Sequence, residues 1–540
     1  MKQLLLALLT LLLGGAPLSA QTPWMADQGD GTYKNPILYA DYSDPDLVRV
    51  GDEYWMTASS FNCVPGLPIL HSTDLVNWEL VGHALSELTP ADHFDRAAHG
   101  EGVWAPSIRY HEGWFYIYWG DPDFGIYMVK SQDPRGEWSK PHLVKAGRGM
   151  IDPCPLWDDD GRAYLVHGWA GSRAGFKSIL SVVELSPDGE QFVGEEVLIF
   201  DGHDDHPTVE GPKFYKRNGY YYVFAPAGGV KPGWQLVLRS RSPYGPYACR
   251  KVLHQGDSAI PGPHQGGWVE DVAGDCWFMH FVDMYAYGRV VHLQPMAWGD
   301  DDWCTMGVDQ NGDGVGEPVE RFRKPAGVSK PVAPVASDDF TGCRLGPQWQ
   351  WHANPQIGWC FPNPSQGALR LYCQLHDGVH NLWEVPNLLL QKVAAPELTY
   401  TAHVRFRGAY EGDRAGLVMM GMAYATLGFE HRDGRDYLVQ RVNPGADQGA
   451  PEQHCAEVEL ATRALWLRCK IEQQWNDDGS PRMVCRFSYS SDGRRFKALG
   501  EPFTAKEGRW IGAKIGFYAT AAIRKNDGGW IDLLDFSDGL

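Results

Sequence analysis

Through the first three hundred residues, short runs of apolar and aromatic residues alternate with polar ones and close on a glycine turn. Five such runs line up: "DPDLVRVGDEYWMTAS", "APSIRYHEGWFYIYWG", "DPCPLWDDDGRAYLVHG", "EGPKFYKRNGYYYVFAP" and "HQGGWVEDVAGDCWFMHF". Each has a polar or proline-containing opening, a short apolar strand, a turn and a second strand rich in aromatics, the period-2 pattern of paired β-strands. The turn glycines are Gly51, Gly113, Gly161, Gly219 and Gly274. They supply the positive φ that a tight hairpin needs. Three residues after each glycine stands an aromatic, Tyr54, Tyr116, Tyr164, Tyr222 and Trp277. The shared offset puts these rings on the same face of each second strand.

Successive glycines lie 62, 48, 58 and 55 residues apart, with no helical period of useful length between them. A unit of that size made of short strands and turns fits a four-stranded propeller blade. The reading is an all-β chain: a five-bladed β-propeller over residues 30–324. A Pro/Ala/Val/Ser linker follows at 325–337. From 338 to 540 the strands alternate without a blade period, as in "ELTYTAHVRFRG" and "RMVCRFSYSSDGRRFKALG", and predict a β-sandwich of the concanavalin-like kind.

Propeller geometry gives the openings a meaning. The first strand of each blade lines the central axis, and its beginning faces the funnel at one end. The five openings carry Asp44, Trp104 with Pro106, Asp152, Glu210 and His264. Three carboxylates, an indole and an imidazole are therefore expected to converge on one pocket.

Composition narrows the ligand. The formal net charge of −19 argues against nucleic acid or an anionic membrane as partner. The 22 Trp, 24 Tyr and 21 Phe provide flat apolar faces on which sugars stack, although large β proteins also use them as core. "MKQLLLALLTLLLGGAPLSAQ" reads as a secretory leader over residues 1–20, too short to span a membrane, so a periplasmic or extracellular protein without membrane insertion is expected. Eleven cysteines without CxxC or zinc-ligand spacing read mainly as free buried residues. Nothing in the sequence bears on oligomeric state.

Paired carboxylates around a sugar-sized pocket are the equipment of glycoside hydrolysis: one protonates the leaving oxygen, the other activates water or attacks. The acid must keep its proton near neutral pH, which burial or a neighbouring negative charge achieves. Three acidic openings suit that task better than two.

The chain resembles glycoside hydrolase family 43, the β-xylosidase and α-L-arabinofuranosidase family. The resemblance rests on "NPILYADYSDPDLVRVGDEYWMTASSF", "GVWAPSI", "IDPCPLWDDDGRAYL" and "VEGPKFYKRNGYYY" in order, with "GRVVHLQPMAW" behind them. The C-terminal half, including "QWQWHANP" and "DRAGLVMMGMAYATLGFE", is similar to the sandwich appended to many members. The resemblance implies Asp44 as general base, Asp152 as modulator of the acid's pKa and Glu210 as general acid. It further implies inversion of anomeric configuration, with the working carboxyls about 6.5–9.5 Å apart. Arg289 matches an arginine that bonds sugar hydroxyls, His264 a central histidine associated with a water or metal ion, and Trp104 and Phe61 line the wall.

The stretch "SSFNCVPGLPILHS" places Asn62 and Cys63 where related xylosidases carry an aromatic wall. That departure moves the expected substrate toward terminal α-L-arabinofuranosides of plant hemicellulose (arabinoxylan, arabinan or xyloglucan side chains), with β-D-xylosides as the alternative. No cofactor is required by this chemistry. A calcium or other metal ion near the axis is left open, as is calcium at "DQNGDGVGEPVE", residues 309–320, which satisfies a calcium-loop pattern without helical flanks. Two rivals stand beside the enzyme. A silent carbohydrate-binding propeller would not need all three acids. A fructan- or sucrose-acting propeller enzyme typically carries Arg-Asp-Pro where this chain has Ile151-Asp152-Pro153.

Overall fold

The five hairpins become five antiparallel four-stranded blades. Blade 1 runs Asp46–Val50, Glu53–Thr57, Gly66–Ser72 and Glu79–Leu85. Blades 2 to 5 begin at Trp104, Met150, Lys213 and His264 and end at Ala146, Asp201, Leu253 and Met306. The coordinates are a computed structural model and describe residues 24–342, 344–523 and 528–539. The leader 1–20 lies outside the described residues. Among the described residues no helix is long and apolar enough to cross a membrane.

The five turn glycines all have positive φ, from +62° at Gly51 to +87° at Gly274. Tyr54, Tyr116, Tyr164, Tyr222 and Trp277 are all buried on the second strands, as the common offset predicts. The N-terminal segment closes the ring. Thr32–Lys34 pairs with Arg321–Arg323, and Leu38 bridges Val291 of blade 5. The buried Asn35 side chain both donates to and accepts from the Leu293 backbone, at 2.9 Å each.

Residues 325–337 form no strand. They lie along blade 1, where Thr73 Oγ1 donates to Val328 O, Ser329 Oγ donates to Asp74 Oδ2, and the Asn77 side chain accepts from Val332 N. Among the described residues the C-terminal half is a sandwich of a seven-stranded and an eight-stranded sheet. Its core is continuous with the propeller: Tyr39, Val282, Tyr287 and Val290 belong to the same buried cluster as Trp349, Leu417, Phe517 and Phe536. Polar bonds reinforce that seam. Gln473 Nε2 donates to Tyr39 Oη at 2.6 Å, and the Val64 and Trp351 backbones bond to each other. The two units are thus one packed body, with the sandwich set against blades 1 and 5.

The ten described cysteines are all unpaired, and Cys63, Cys154, Cys304, Cys469 and Cys485 among them are buried.

Candidate active site

At each blade opening one residue takes the left-handed backbone conformation: Asp44 (φ 53°), Ala105 (24°), Asp152 (58°), Gly211 (58°) and Gln265 (25°). In the first four, proline follows, and a residue before proline normally prefers extended backbone. Such strain persists only where surrounding structure enforces it, and it clusters at functional sites. Register shifts fall at the same points in blades 2, 3 and 5, between Trp104 and Ser107, Ile151 and Cys154, and His264 and Gly266. A bulge of this kind re-aims side chains at a strand end. In blades 1 and 3 the kinked residue is itself the carboxylate. In blades 2, 4 and 5 the inward-facing side chain, Trp104, Glu210 or His264, stands one residue earlier.

The kinks bring the openings to one pocket of about 470 Å³, lined by Asp44, Phe61, Trp104, Ala105, Ile151, Asp152, Glu210, Val230, His264, Gln265, Arg289 and Trp510. All seven residues singled out from the sequence lie in it.

Asp44, 4% exposed, meets donors only. Ser43 Oγ and Ser59 Oγ donate to Oδ2 at 2.7 and 2.6 Å, and Arg289 Nη1 sits 3.2 Å from Oδ1 and 3.3 Å from Oδ2. An ionised carboxylate is acceptor-only, so this is the environment it needs. Ser59 Oγ also accepts from Ala105 N, tying the surroundings of Asp44 to blade 2.

Asp152 is 2% exposed. Burial first, and the neighbouring Glu210 charge second, push its carboxyl well above the usual range. The buried Lys213 ammonium and the Gly211 N–H, which donates to Oδ2 at 2.7 Å, oppose that rise. Glu210, with a side chain 26% exposed, is the more open member of the pair, and both line the pocket. The repulsion that helps to raise Asp152 is one between two carboxyls sharing a pocket. Chemically, the pocket offers a hydrogen-bonded carboxylate on one blade, a buried proton-holding carboxyl on a second and a more open carboxyl on a third.

His264 Nε2 lies 3.3 Å from Glu210 Oε1 but outside hydrogen-bond alignment, and neither ring nitrogen has a hydrogen-bond partner. Gln265 Oε1 is likewise unpartnered. These orphaned atoms suit a bound water. They do not form a metal site by themselves, since among the described residues no cluster of three or more His, Cys, Asp or Glu side chains could hold an ion. At 309–320 the acidic side chains cap their own turn: Asp309 accepts from Gly312 N and Gly314 N, and Asp313 from Val315 N.

Two features were missed or misread from sequence. Trp510 comes from the sandwich and closes the pocket, edge-on to Trp104 at 6.1 Å between ring centres and with the Arg289 guanidinium 5.9 Å from its ring. It sits in a loop of the C-terminal half with no motif to mark it. Asn62 and Cys63, expected to alter the sugar wall, do not face the pocket. Asn62 Nδ2 donates to His352 O, and Cys63 Sγ accepts from Lys514 Nζ at 2.9 Å. Both serve the seam between propeller and sandwich.

One buried carboxylate holds both walls. Asp41 Oδ1 accepts from Arg289 N at 2.8 Å, and Oδ2 accepts from Gly512 N at 3.0 Å. The contact needs glycine twice: a Cβ on Gly288 would fall 2.4 Å from Asp41 Oδ1, and one on Gly512 2.8 Å from Gly288 N.

Residues 33–304 match the family description "Glycosyl hydrolases family 43", and residues 337–537 match "Beta xylosidase C-terminal Concanavalin A-like domain". The chain is 32% identical over 564 residues to a β-xylosidase of Formosa agariphila, covering 95% of this chain and 91% of that one. It is 31% identical over 417 residues to a non-reducing end α-L-arabinofuranosidase of Bacteroides ovatus, covering 73% and 75%. Among solved structures, a family 43 protein of Bacillus licheniformis superimposes with a TM-score of 0.80 at 25% identity, covering 94% of this chain and 99% of that one.

Replacing Asp41 with Ala leaves the Arg289 and Gly512 amides without their acceptor. The expected loss is about 10–100-fold in kcat/KM on an aryl glycoside, the cost of one or two unsatisfied buried groups, with circular dichroism unchanged. Unaltered kinetics would show that neither wall depends on this carboxylate.

Proposed function

The chain belongs to glycosyl hydrolases family 43, and from that premise we propose that it is an exo-acting, inverting β-D-xylosidase. It trims terminal pentose from xylo-oligosaccharides and hemicellulose, with terminal α-L-arabinofuranosides as second substrates. The observation that carries the choice is the position of Asn62 and Cys63. The arabinofuranose preference expected from the sequence rested on their altering the sugar wall, and they lie outside it. The β-xylosidase relative and the match of residues 337–537 to a β-xylosidase C-terminal domain support the pyranoside reading. The arabinofuranosidase relative supports arabinofuranosides as second substrates. The leader at 1–20 supports work outside the cytoplasm, where such polymers are met.

In this reading the terminal sugar enters between Trp510, Trp104 and Phe61, and Arg289 bonds its hydroxyls. Asp44 accepts a proton from a water held between its carboxylate and the anomeric carbon. Glu210 gives a proton to the departing glycosidic oxygen. The bond to that oxygen breaks as the water oxygen bonds to carbon from the opposite face, so the configuration inverts. Asp152 acts through Glu210: the two carboxyls repel each other when both are ionised, and the bond that Asp152 accepts from Gly211 N fixes the backbone beside the acid.

Hydrolysis of p-nitrophenyl β-D-xyloside beside p-nitrophenyl α-L-arabinofuranoside tests the substrate reading. The xyloside should have the higher kcat/KM, and a reversed preference would return arabinofuranose to first place. Glu210→Gln should cut xylobiose turnover by about 10²–10⁴-fold, the usual worth of general acid catalysis, and spare an activated aryl xyloside that hardly needs protonation. Equal losses on both would remove Glu210 from the acid role.

The pH profile carries a signed test of Asp152. Turnover needs a proton on the acid, so activity is lost on the alkaline side, when that proton leaves. Asp152→Asn removes a carboxyl that repels Glu210 when both are ionised, and the proton should then leave earlier. The alkaline limb of kcat/KM should move down by roughly one pH unit or more. An unmoved or upward-shifted limb would contradict the coupling.

A further inference from the structure

Beside the pocket, between the propeller and the sandwich, runs a second and larger cleft. The two adjoin through consecutive residues: Val230 and Arg289 line the pocket, while Lys231 and Val290 line the cleft. One wall of the cleft is the hairpin turn of residues 475–481, closed by backbone bonds from Asn476 N to Ser480 O and from Gly479 N to Asn476 O. At its base stands Trp475, 60% exposed. An indole is mostly buried in folded proteins, so one left bare in a cleft between two packed domains calls for a ligand. The facing wall carries Tyr285, whose ring is already covered by Lys231 Nζ at 3.4 Å from its centre, which leaves Trp475 as the open platform.

The polar lining says what kind of ligand fits. His292, 4% exposed, lines the cleft with its Nδ1 unpartnered, and burial holds the ring well below the usual imidazole range, so it is neutral. The charged groups lining the cleft are mostly acidic: Asp283, Glu320 and Asp478 against Lys231. Such a lining repels anions and offers acceptors to hydroxyl groups. A flat apolar face above a neutral hydrogen-bonding floor is the complement of a sugar ring, apolar on its C–H face and polar at its edge.

We propose that this cleft is a second carbohydrate site, separate from the catalytic pocket, which holds a neutral segment of xylan backbone stacked on Trp475. The identity of the polymer rests on the catalytic reading above; the existence of the site does not.

The test is native affinity electrophoresis through gels containing soluble wheat arabinoxylan, run beside kcat/KM on p-nitrophenyl β-D-xyloside. The wild-type protein should be retarded. Trp475→Ala should weaken that retention by about tenfold, the scale of losing one aromatic anchor, and Trp475→Phe should keep most of it. Neither variant should change hydrolysis of the small aryl xyloside, which also shows that both fold. Equal retention of wild type and Trp475→Ala, or no retention of the wild type, would overturn the site. Retention that depends on Trp475 in a protein that hydrolyses no xyloside would uphold the site and sink the catalytic reading instead.

Discussion

Three carboxylates from three blades share one small pocket, and the cost of gathering that much negative charge away from water governs what surrounds them. Each is settled differently. Asp44 is met by two serine hydroxyls and a guanidinium. At Asp152, burial and the Glu210 charge hold the carboxyl well above the usual range, with Lys213 opposing the rise. In the proposed mechanism, the division of labour between a water-activating base and a proton-donating acid rests on these environments rather than on any difference in the side chains. The kinks at the blade openings are what make it available, because a strand starting with regular backbone would not turn these groups toward the axis.

The sandwich is part of the site as well as a neighbour to it. Its core merges with that of the propeller, and through Asp41 the backbone of Arg289 and the loop bearing Trp510 are fixed to the same carboxylate. A pocket open at the propeller funnel is thereby narrowed by an indole from the other domain. The same packing leaves the cleft at Trp475 open along the seam, so one interface serves both a closed pocket and an open groove.

Much of this was legible in the sequence because it is local. A hairpin glycine and the aromatic three residues later are linked by backbone geometry, so all five blades announced themselves, and so did the carboxylates that open them. What was not legible depends on contacts between distant parts of the chain. Gly512 and Asp41 are 471 residues apart, and nothing near either one marks the other. Trp510 reads as any loop tryptophan until the sandwich is placed. Asn62 and Cys63 failed in the opposite sense: their position after the first blade's second strand was visible, but the side chains turn to His352 and Lys514 on a surface that the sequence pattern does not reveal. The acidic run at 309–320 has the spacing of a calcium loop, and its side chains bond their own backbone amides.

The placement of Asp44 and Glu210 at the openings of different blades around one pocket is the feature on which the proposed mechanism rests. The most direct test is proton NMR of the first sugar released from a β-xyloside, read before mutarotation. Initial appearance of the α-anomer is the predicted result. Initial appearance of the β-anomer would mean that a carboxylate attacks carbon directly, and would contradict the assignment of Asp44 as a base acting through water.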